Sequence, residues 1–339
     1  MKVLYIGQYS DGTTSKMRCK VIQKILKPTI FQVIDMHIPF YQTNRWVRSF
    51  GFRYKKGPLI KKMNHYILNS IKQDHYDLIW VDKAVFVTPQ TTALLRSKAA
   101  KLVHFTPDPA FTFHQSKLFF KSLPYYDYLI TTKSYELAYY NKYTKSDKVL
   151  YTTQGFDDQL HQICKQPFTR KEGFVFIGHY EDQRAAVIEK LLNTNIQITL
   201  AGIKWQKFAK KHEHNPNLIY LGDGVYGEDY VKTIQKARVA WGAISKWVPE
   251  LHTTRTFEIP ACGTALLTER NTETESFYTD AEVIFYDTEA ELVEQVTYYN
   301  NNNNNLVLEA LTQNGYTKVC KSGFSYRSIL TKLLKHILD

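Results

Sequence analysis

The sequence predicts an α/β protein of two doubly wound domains facing each other across a cleft. The chain has 339 residues, and at ~150 residues per domain that length favours two cores over one. Short β-branched and aromatic runs alternate with longer helical patterns from the first residue onward, which is the signature of βαβ units and a parallel sheet. The pattern restarts once, after a polar stretch from Tyr151 to Gly173 that contains Gln154, Gly155, Phe156, Asp157 and Pro167 and has no clear periodicity. The expected division is a first domain over residues 1–150, a linker over 151–173, a second domain over 174–320, and a terminal helical segment over 321–339.

In the first domain, strands are predicted at Val3 to Ile6, Phe31 to Ile34, Leu78 to Val81, Leu102 to Phe105 and Tyr128 to Thr131, with helices at Ser15 to Ile25, Leu59 to Ile71 and Ser134 to Tyr143. The second series runs through strands at Phe174 to Ile177, Ile196 to Ala201, Leu218 to Leu221, Val239 to Ala243, Ala265 to Thr268 and Val283 to Tyr286. Its helices fall at Arg184 to Leu192, Tyr230 to Ala237 and Thr254 to Cys262. The tract Asn300 to Asn305 reads as a solvated turn between two helices, with no side-chain chemistry beyond hydration. The last helix, Tyr326 to Leu338, carries Ile329, Leu330, Leu333, Leu334 and Ile337 at helical spacing. Core packing accounts for that stripe, and crossing back onto the first domain is one way to achieve it.

Composition narrows the function. Hydrophobic residues make up 44% and charged residues 22% of the chain, enough apolar surface to fold and too much for a disordered tail protein. No run of ~20 apolar residues occurs, so neither a signal peptide nor a membrane-spanning helix is expected. Cys19, Cys164, Cys262 and Cys320 lie far apart, in neither a disulfide nor a zinc pattern, which fits a reducing cytoplasm. Net charge is +12 overall, but residues 1–150 hold +15 and the remainder −3. The first half is therefore expected to meet something anionic, such as a membrane surface, an acidic polymer or nucleic acid.

The run from Phe40 to Lys62 interleaves aromatics with cations, among them Arg45, Trp46, Arg48, Arg53, Lys55 and Lys56. Rings beside Lys and Arg suit an interfacial membrane contact at the inner face of the membrane or an anionic glycan. Nucleic acid would use the same residues, and a solvated, partly buried loop is the plainer reading.

The segment from Glu250 to Glu269 is the richest in chemistry. Arg255 and Glu258 stand three apart on a predicted helix that ends at Gly263, near the start of that helix, where backbone N–H groups favour an anion. Such a set suits a sugar nucleotide, with Arg255 on the diphosphate and Glu258 accepting two ribose hydroxyl protons; a surface ion pair would use the same two residues. Phe174 to Ile177 leads into Gly178, His179 and, one turn into the next helix, Arg184; a glycine there lets backbone approach a pyrophosphate and Arg184 can reach it. The full dinucleotide fingerprint is missing. Gly202 and Lys204 follow the next strand, at the sheet edge where ligands bind in open α/β folds. In the first domain, Asp108 sits between Pro107 and Pro109 just after a strand that contains His104, and Asp11 lies in the turn after the first strand. Each is a candidate for general base work; fixing a turn or capping a helix is the alternative for the two carboxylates.

The run Arg255-Thr-Phe-Glu258-Ile-Pro-Ala-Cys-Gly263, followed by Ala265-Leu-Leu-Thr, resembles the donor-site helix and strand of GT-B glycosyltransferases, in particular the group related to the spore-maturation protein CgeB. The order Glu282-Val283, Phe285-Tyr286, Glu289, Glu291-Leu292 and Tyr326-Arg327 is similar too. The resemblance is strong over roughly the last 170 residues and weaker, mainly by strand order, before them. It implies two Rossmann-like domains of the GT-B fold, the second holding a nucleotide-sugar donor and the first an acceptor. It matches Glu258 to the carboxylate on the donor ribose and Glu250 to the first Glu of a Glu-x7-Glu motif, although the residues between depart from that motif's Gly-Phe-Gly-rich form. The Gly222 to Gly227 loop corresponds to the one that cradles the base, with Tyr226 placed to stack on it.

The resulting expectation is a metal-independent glycosyltransferase, needing no cofactor besides its nucleotide-sugar donor, that modifies an envelope glycan or glycolipid. Helix dipole, Arg184, Lys204 and Arg255 would stabilise the leaving diphosphate. A nucleotide-sugar epimerase of the same fold would have a less basic first domain. A nucleic-acid-binding protein would leave the second domain unexplained.

Overall fold

The computed structural model describes residues 1–113, 115–163 and 171–339. Cys164 and Pro167 of the polar stretch lie outside the described residues. Two compact units emerge, one made of Met1–Thr153 with Tyr326–Asp339 and the other of Gln154–Ser325.

In the first unit, β1 (Lys2–Gly7), β2 (Ile30–Asp35), β3 (Tyr76–Asp82), β4 (Ala99–Thr106), β5 (Tyr128–Thr131) and β6 (Val149–Tyr151) form a parallel sheet in the order β2-β1-β3-β4-β5-β6. Successive side chains leave a strand on opposite faces. Leu4, Ile6, Ile79 and Val81 accordingly pack with Leu59, Met63 and Ile67 of the helix Pro58–Ser70, while Val3, Tyr5, Leu78 and Trp80 pack with Val21 and Ile22 of the helix Thr14–Leu26. Covered faces on both sides explain why these strands read as unbroken apolar runs. The helix Tyr326–Leu338 lays its apolar stripe into the second of those faces, beside Thr14–Leu26.

The stretch read as a linker is divided between the units. β6 extends the first sheet through Tyr151, whereas Phe156 pairs with Ser325 and is buried with Val175 and Phe257 in the second unit. Its contacts are made one residue at a time, so no periodicity announces them.

The second unit repeats the plan with β7 (Phe174–Ile177), β8 (Ile198–Ala201), β9 (Leu218–Tyr220), β10 (Val239–Trp241), β11 (Ala265–Glu269) and β12 (Ile284–Tyr286), parallel and ordered β12-β11-β10-β7-β8-β9. Strand order reverses between β1 and β3 in one sheet and between β7 and β10 in the other. Loops leaving the carboxyl ends of those pairs run in opposite directions and leave a crevice, the usual ligand position in open α/β sheets.

Three segments differ from the sequence reading. The aromatic and basic run folds as a helix, Arg45–Tyr54, whose first turn is closed by the Asn44 side chain accepting from the Trp46 N–H. The helix predicted over Ser134 to Tyr143 is a 3-10 turn, Ser134–Glu136, followed by one helical turn, Leu137–Tyr140. The asparagine tract does turn the chain between the helices Glu289–Asn300 and Asn305–Lys321, but it is anchored as well as hydrated. The buried Arg238 donates to the Tyr299 carbonyl at 2.9 Å and to Asn305 Oδ1 at 2.7 Å. Hydrogen bonds to a charged group contribute about 1.5–3 kcal/mol. Asn305→Ala is therefore expected to lower the unfolding free energy by that amount, read as a lower denaturant midpoint at unchanged m-value, and Asn303→Ala to leave the midpoint in place.

Among the described residues, no helix is long and apolar enough to cross a membrane.

Candidate functional site

In the second unit, two glycines stand at the carboxyl edge of the sheet beside the β7–β10 crevice, Gly178 after β7 and Gly202 after β8. The Gly178 N–H donates to the Ala201 carbonyl at 2.9 Å, and the Gly178 carbonyl accepts from Trp205 Nε1 at 2.9 Å. Gly202 has φ +144°, and a Cβ there would lie 1.8 Å from the Gly178 oxygen. The two strand ends approach this closely because neither turn carries a side chain.

Charge is added to that edge by two arginines. Arg184, on the helix Asp182–Leu192, is buried; it pairs with Glu181 at 2.9 Å and donates to the His179 carbonyl at 3.0 Å. Burial, with the neighbouring Arg255 cation, draws Arg184 down to about 10. Glu181 and Glu250 act on it in the opposite sense. Arg255 donates through Nη2 to the Ala243 carbonyl at 3.1 Å, just beyond β10. The Nε atoms of both arginines are buried without a hydrogen-bond partner among the described residues. Burial beside a like charge raises the cost of keeping the Arg184 guanidinium charged, and an anion entering beside it offsets that cost. His179 is lowered from the usual histidine value by burial and by Lys204 and Arg184.

The helix Arg255–Ala261 has only 7 residues. The N–H groups of Thr256, Phe257 and Glu258 already donate to the carbonyls of Thr253 and Thr254. The free helix start expected for the diphosphate is thus occupied by the chain itself, and the guanidiniums are the cationic element present.

Glu258 is buried, with Oε2 accepting from the Tyr230 hydroxyl at 3.0 Å and Oε1 lying 3.9 Å from His161 Nε2. Burial and the Glu258 charge raise Tyr230 well above the usual phenol value, so that its hydroxyl remains a donor. One of the two oxygens assigned to ribose is therefore already engaged.

Glu250 lines a pocket of about 440 Å³ with Lys246, Trp247, Glu269 and Asn271. Trp247 links this pocket to the glycine edge: its ring lies 5.9 Å from that of His179 and 6.0 Å from Lys204 Nζ. Lys204 itself adopts φ 71°. Tyr226 is 62% exposed at the start of the helix Gly227–Lys236, its hydroxyl so close to Gly224 that a Cβ there would meet it at 2.4 Å. Behind the pocket, buried His252 accepts the Gln154 N–H on Nε2 at 2.9 Å, which leaves the proton on Nδ1 to donate to Glu273.

In the first unit the three base candidates separate. Asp108 sits beyond β4, ion-paired with Lys83, and its side chain is 36% exposed. Its loop is clamped from below. Glu136, buried, accepts the N–H groups of Ala110 and Phe111 at 2.8 Å each and of Thr112 at 3.2 Å, and Thr132 donates to the Pro107 carbonyl at 3.0 Å. His104 is a core residue instead. It packs against Phe119 and Tyr126, accepts the Ala84 N–H, and is driven by burial down to about 3, so it stays neutral and away from solvent. A strand position facing the helical layer put it there. Asp11 stands 95% exposed, paired at 2.6 Å with Lys16, whose hydrogen bond and charge lower it below the usual carboxylate value. The residue that caps the helix Thr14–Leu26 is Thr13.

Residues 183–335 match the family model described as glycosyl transferase-like. The fold is also that of solved GT-B enzymes. Anabaena HepE, crystallised with UDP-glucose, superposes with a TM-score of 0.66 at 12% identity, covering 99% of this chain and 100% of that one. Sucrose-phosphate synthase from Thermosynechococcus elongatus gives 0.69 at 11% identity, covering 99% and 98%. A glycosyltransferase from Rickettsia africae gives 0.66 at 12%, covering 99% and 97%. Residues 183–335 thus resemble a glycosyl transferase-like domain, and the chain as a whole has the GT-B fold. No curated protein matches its sequence.

Several residues of these sites escaped sequence reasoning. Glu181, three residues before Arg184, was legible as a helix-face partner. Trp247 adjoined a segment already under scrutiny. His161, Tyr230 and Glu136 gave no signal, because each reaches its partners across 24 or more positions of chain. Lys83 gave no signal in the sequence either; in the structure it adopts a left-handed backbone, φ 60°.

Proposed function

We propose that the protein transfers a glycosyl group from a nucleotide-sugar donor held by the second unit to an envelope glycan or glycolipid acceptor met by the first. The observation that carries this reading is the Arg184 and Arg255 pair at the β7–β10 crevice, beside two glycine turns that let a pyrophosphate reach the backbone. As the bond from the anomeric carbon to the diphosphate breaks, negative charge grows on the leaving oxygen. Fixed guanidiniums, with Lys204, stabilise it without reorganising. That charge supply is the basis for proposing a reaction without a metal ion. Glu258, held by Tyr230, is placed for a ribose hydroxyl, and Tyr226 for the base. On the acceptor side, Asp108 is proposed to take the hydroxyl proton, with Glu136 positioning its loop. The Arg255 to Gly263 run supports placement in the CgeB-like group.

Since HepE was crystallised with UDP-glucose, uridine nucleotides are the first ligands to test. Calorimetry on the full chain is expected to show UDP binding, weakened about tenfold in Glu258→Gln by loss of the charged acceptor. Binding that is equally strong in Glu258→Gln and wild type would remove Glu258 from the site. No binding of any nucleoside diphosphate would remove the donor assignment.

A further inference from the structure

We propose that the helix Arg45–Tyr54, with the neighbouring start of Pro58–Ser70, is a docking face for an anionic phospholipid surface. The proposal is independent of the donor reading. Trp46, Phe50 and Tyr54 recur at i, i+4 and i+8, so they share one helix face. They are 79%, 51% and 53% exposed. The opposite side is committed to the fold: Gly51 is buried, and a Cβ on it would come within 2.6 Å of Leu59. The aromatic face therefore points away from the unit's own core.

Charge surrounds those rings. Residues 36–73 contain eight lysines and arginines and no carboxylate. Arg45, Arg53, Lys56, Lys61 and Lys62 are all exposed. Lys62 reaches back to the Gln42 carbonyl at 3.1 Å, three residues ahead of Arg45. Next to them a groove of about 630 Å³ is bordered by Lys61, Lys62, His65 and Leu68, with cations and an apolar wall on its margin.

Charge complementarity selects the occupant. A second copy of the same face would set its five exposed cations against five more. A soluble polyanion would satisfy the charges but leave three large rings in water. An anionic bilayer satisfies both, since rings partition at the headgroup boundary and basic side chains sit among phosphates. The rings span about 12 Å along a straight helix at 1.5 Å per residue, a line that can lie flat in that plane.

Flotation of the full chain with phosphatidylcholine vesicles containing phosphatidylglycerol tests this, with pure phosphatidylcholine as reference. Binding is expected only to the anionic vesicles. Arg45→Glu, Arg53→Glu and Lys56→Glu together should lower partitioning about 100-fold or more, at roughly fivefold per basic residue lost. Trp46→Ser with Phe50→Ser should lower it about tenfold at unchanged charge. Unchanged thermal midpoints establish that the variants fold, and Arg45→Lys with Arg53→Lys should keep binding. Bilayer-brominated lipid should quench wild-type fluorescence and spare Trp46→Phe. Equal binding to neutral vesicles, binding retained by the charge variant, or absent quenching together with displacement by dextran sulfate would overturn the proposal. The last outcome would assign the face to a soluble polyanion.

Discussion

Arg255→Ala is expected to lower kcat/KM for sugar transfer by about 10²- to 10³-fold, the range seen when one fixed donor to a developing negative charge is removed. Among the described residues, Arg255 and Arg184 each leave a buried Nε atom without a hydrogen-bond partner, and burial together with the Arg255 cation lowers Arg184. An arriving diphosphate relieves both. The lost charge should therefore appear more strongly in the transition state, where the diphosphate bears more charge, than in nucleotide affinity. Arg255→Lys keeps the charge but loses the fork that spans the Ala243 carbonyl and the ligand, so an intermediate loss is expected. Steady-state kinetics beside calorimetric UDP titration separates the two. A variant that folds with native circular dichroism and turns over at the wild-type rate would exclude Arg255 from the site.

Asp108→Asn should reduce turnover by about 10²-fold or more, in the span assigned to general base catalysis, while nucleotide affinity stays near wild type. The substitution preserves size and removes the proton-accepting charge. Because Asp108 is paired with Lys83, a second variant resolves its role. Lys83→Met removes the partner but keeps the carboxylate. If Asp108 acts on the acceptor, Lys83→Met retains much of the activity and shifts its pH profile. If the pair only fixes the loop, both variants lose activity alike, together with thermal stability. Glu136→Gln, which weakens the clamp on the loop from Ala110 to Thr112, is expected to fall between them.

What the sequence made legible follows from how local each interaction is. Strands such as Val3 to Ile6 and Phe174 to Ile177 are written in contiguous residues, and each lies within the strand found. The glycine turns after β7 and β8 were legible for the same reason: a strand followed by a glycine is a local pattern. β6 was missed because Val149, Leu150 and Tyr151, although apolar, make a run of only three residues at a sheet edge, too short for a pattern. The helix Arg45–Tyr54 was missed because its outward face is aromatic and its inward face includes a glycine, the reverse of ordinary amphipathic patterning. His104 was misjudged because strand position reveals that a residue is near an edge, and not which of two faces it serves. The partners of Glu258 stayed hidden altogether, since His161 lies 97 positions before it and outside any regular element.

The helix Tyr326–Leu338 gives the protein a schedule. It walls one face of the first unit's core, against Val3, Tyr5 and Trp80, yet the ribosome makes it only after all of Gln154–Ser325. At about 5–20 residues per second, the intervening stretch takes on the order of 10–35 seconds to synthesise. Through that interval the first unit has its sheet and one finished face, with the other open to chaperones or to wrong partners. The first unit to be started is the last to be closed, so maturation of the whole enzyme is timed by the arrival of 13 residues at its far end.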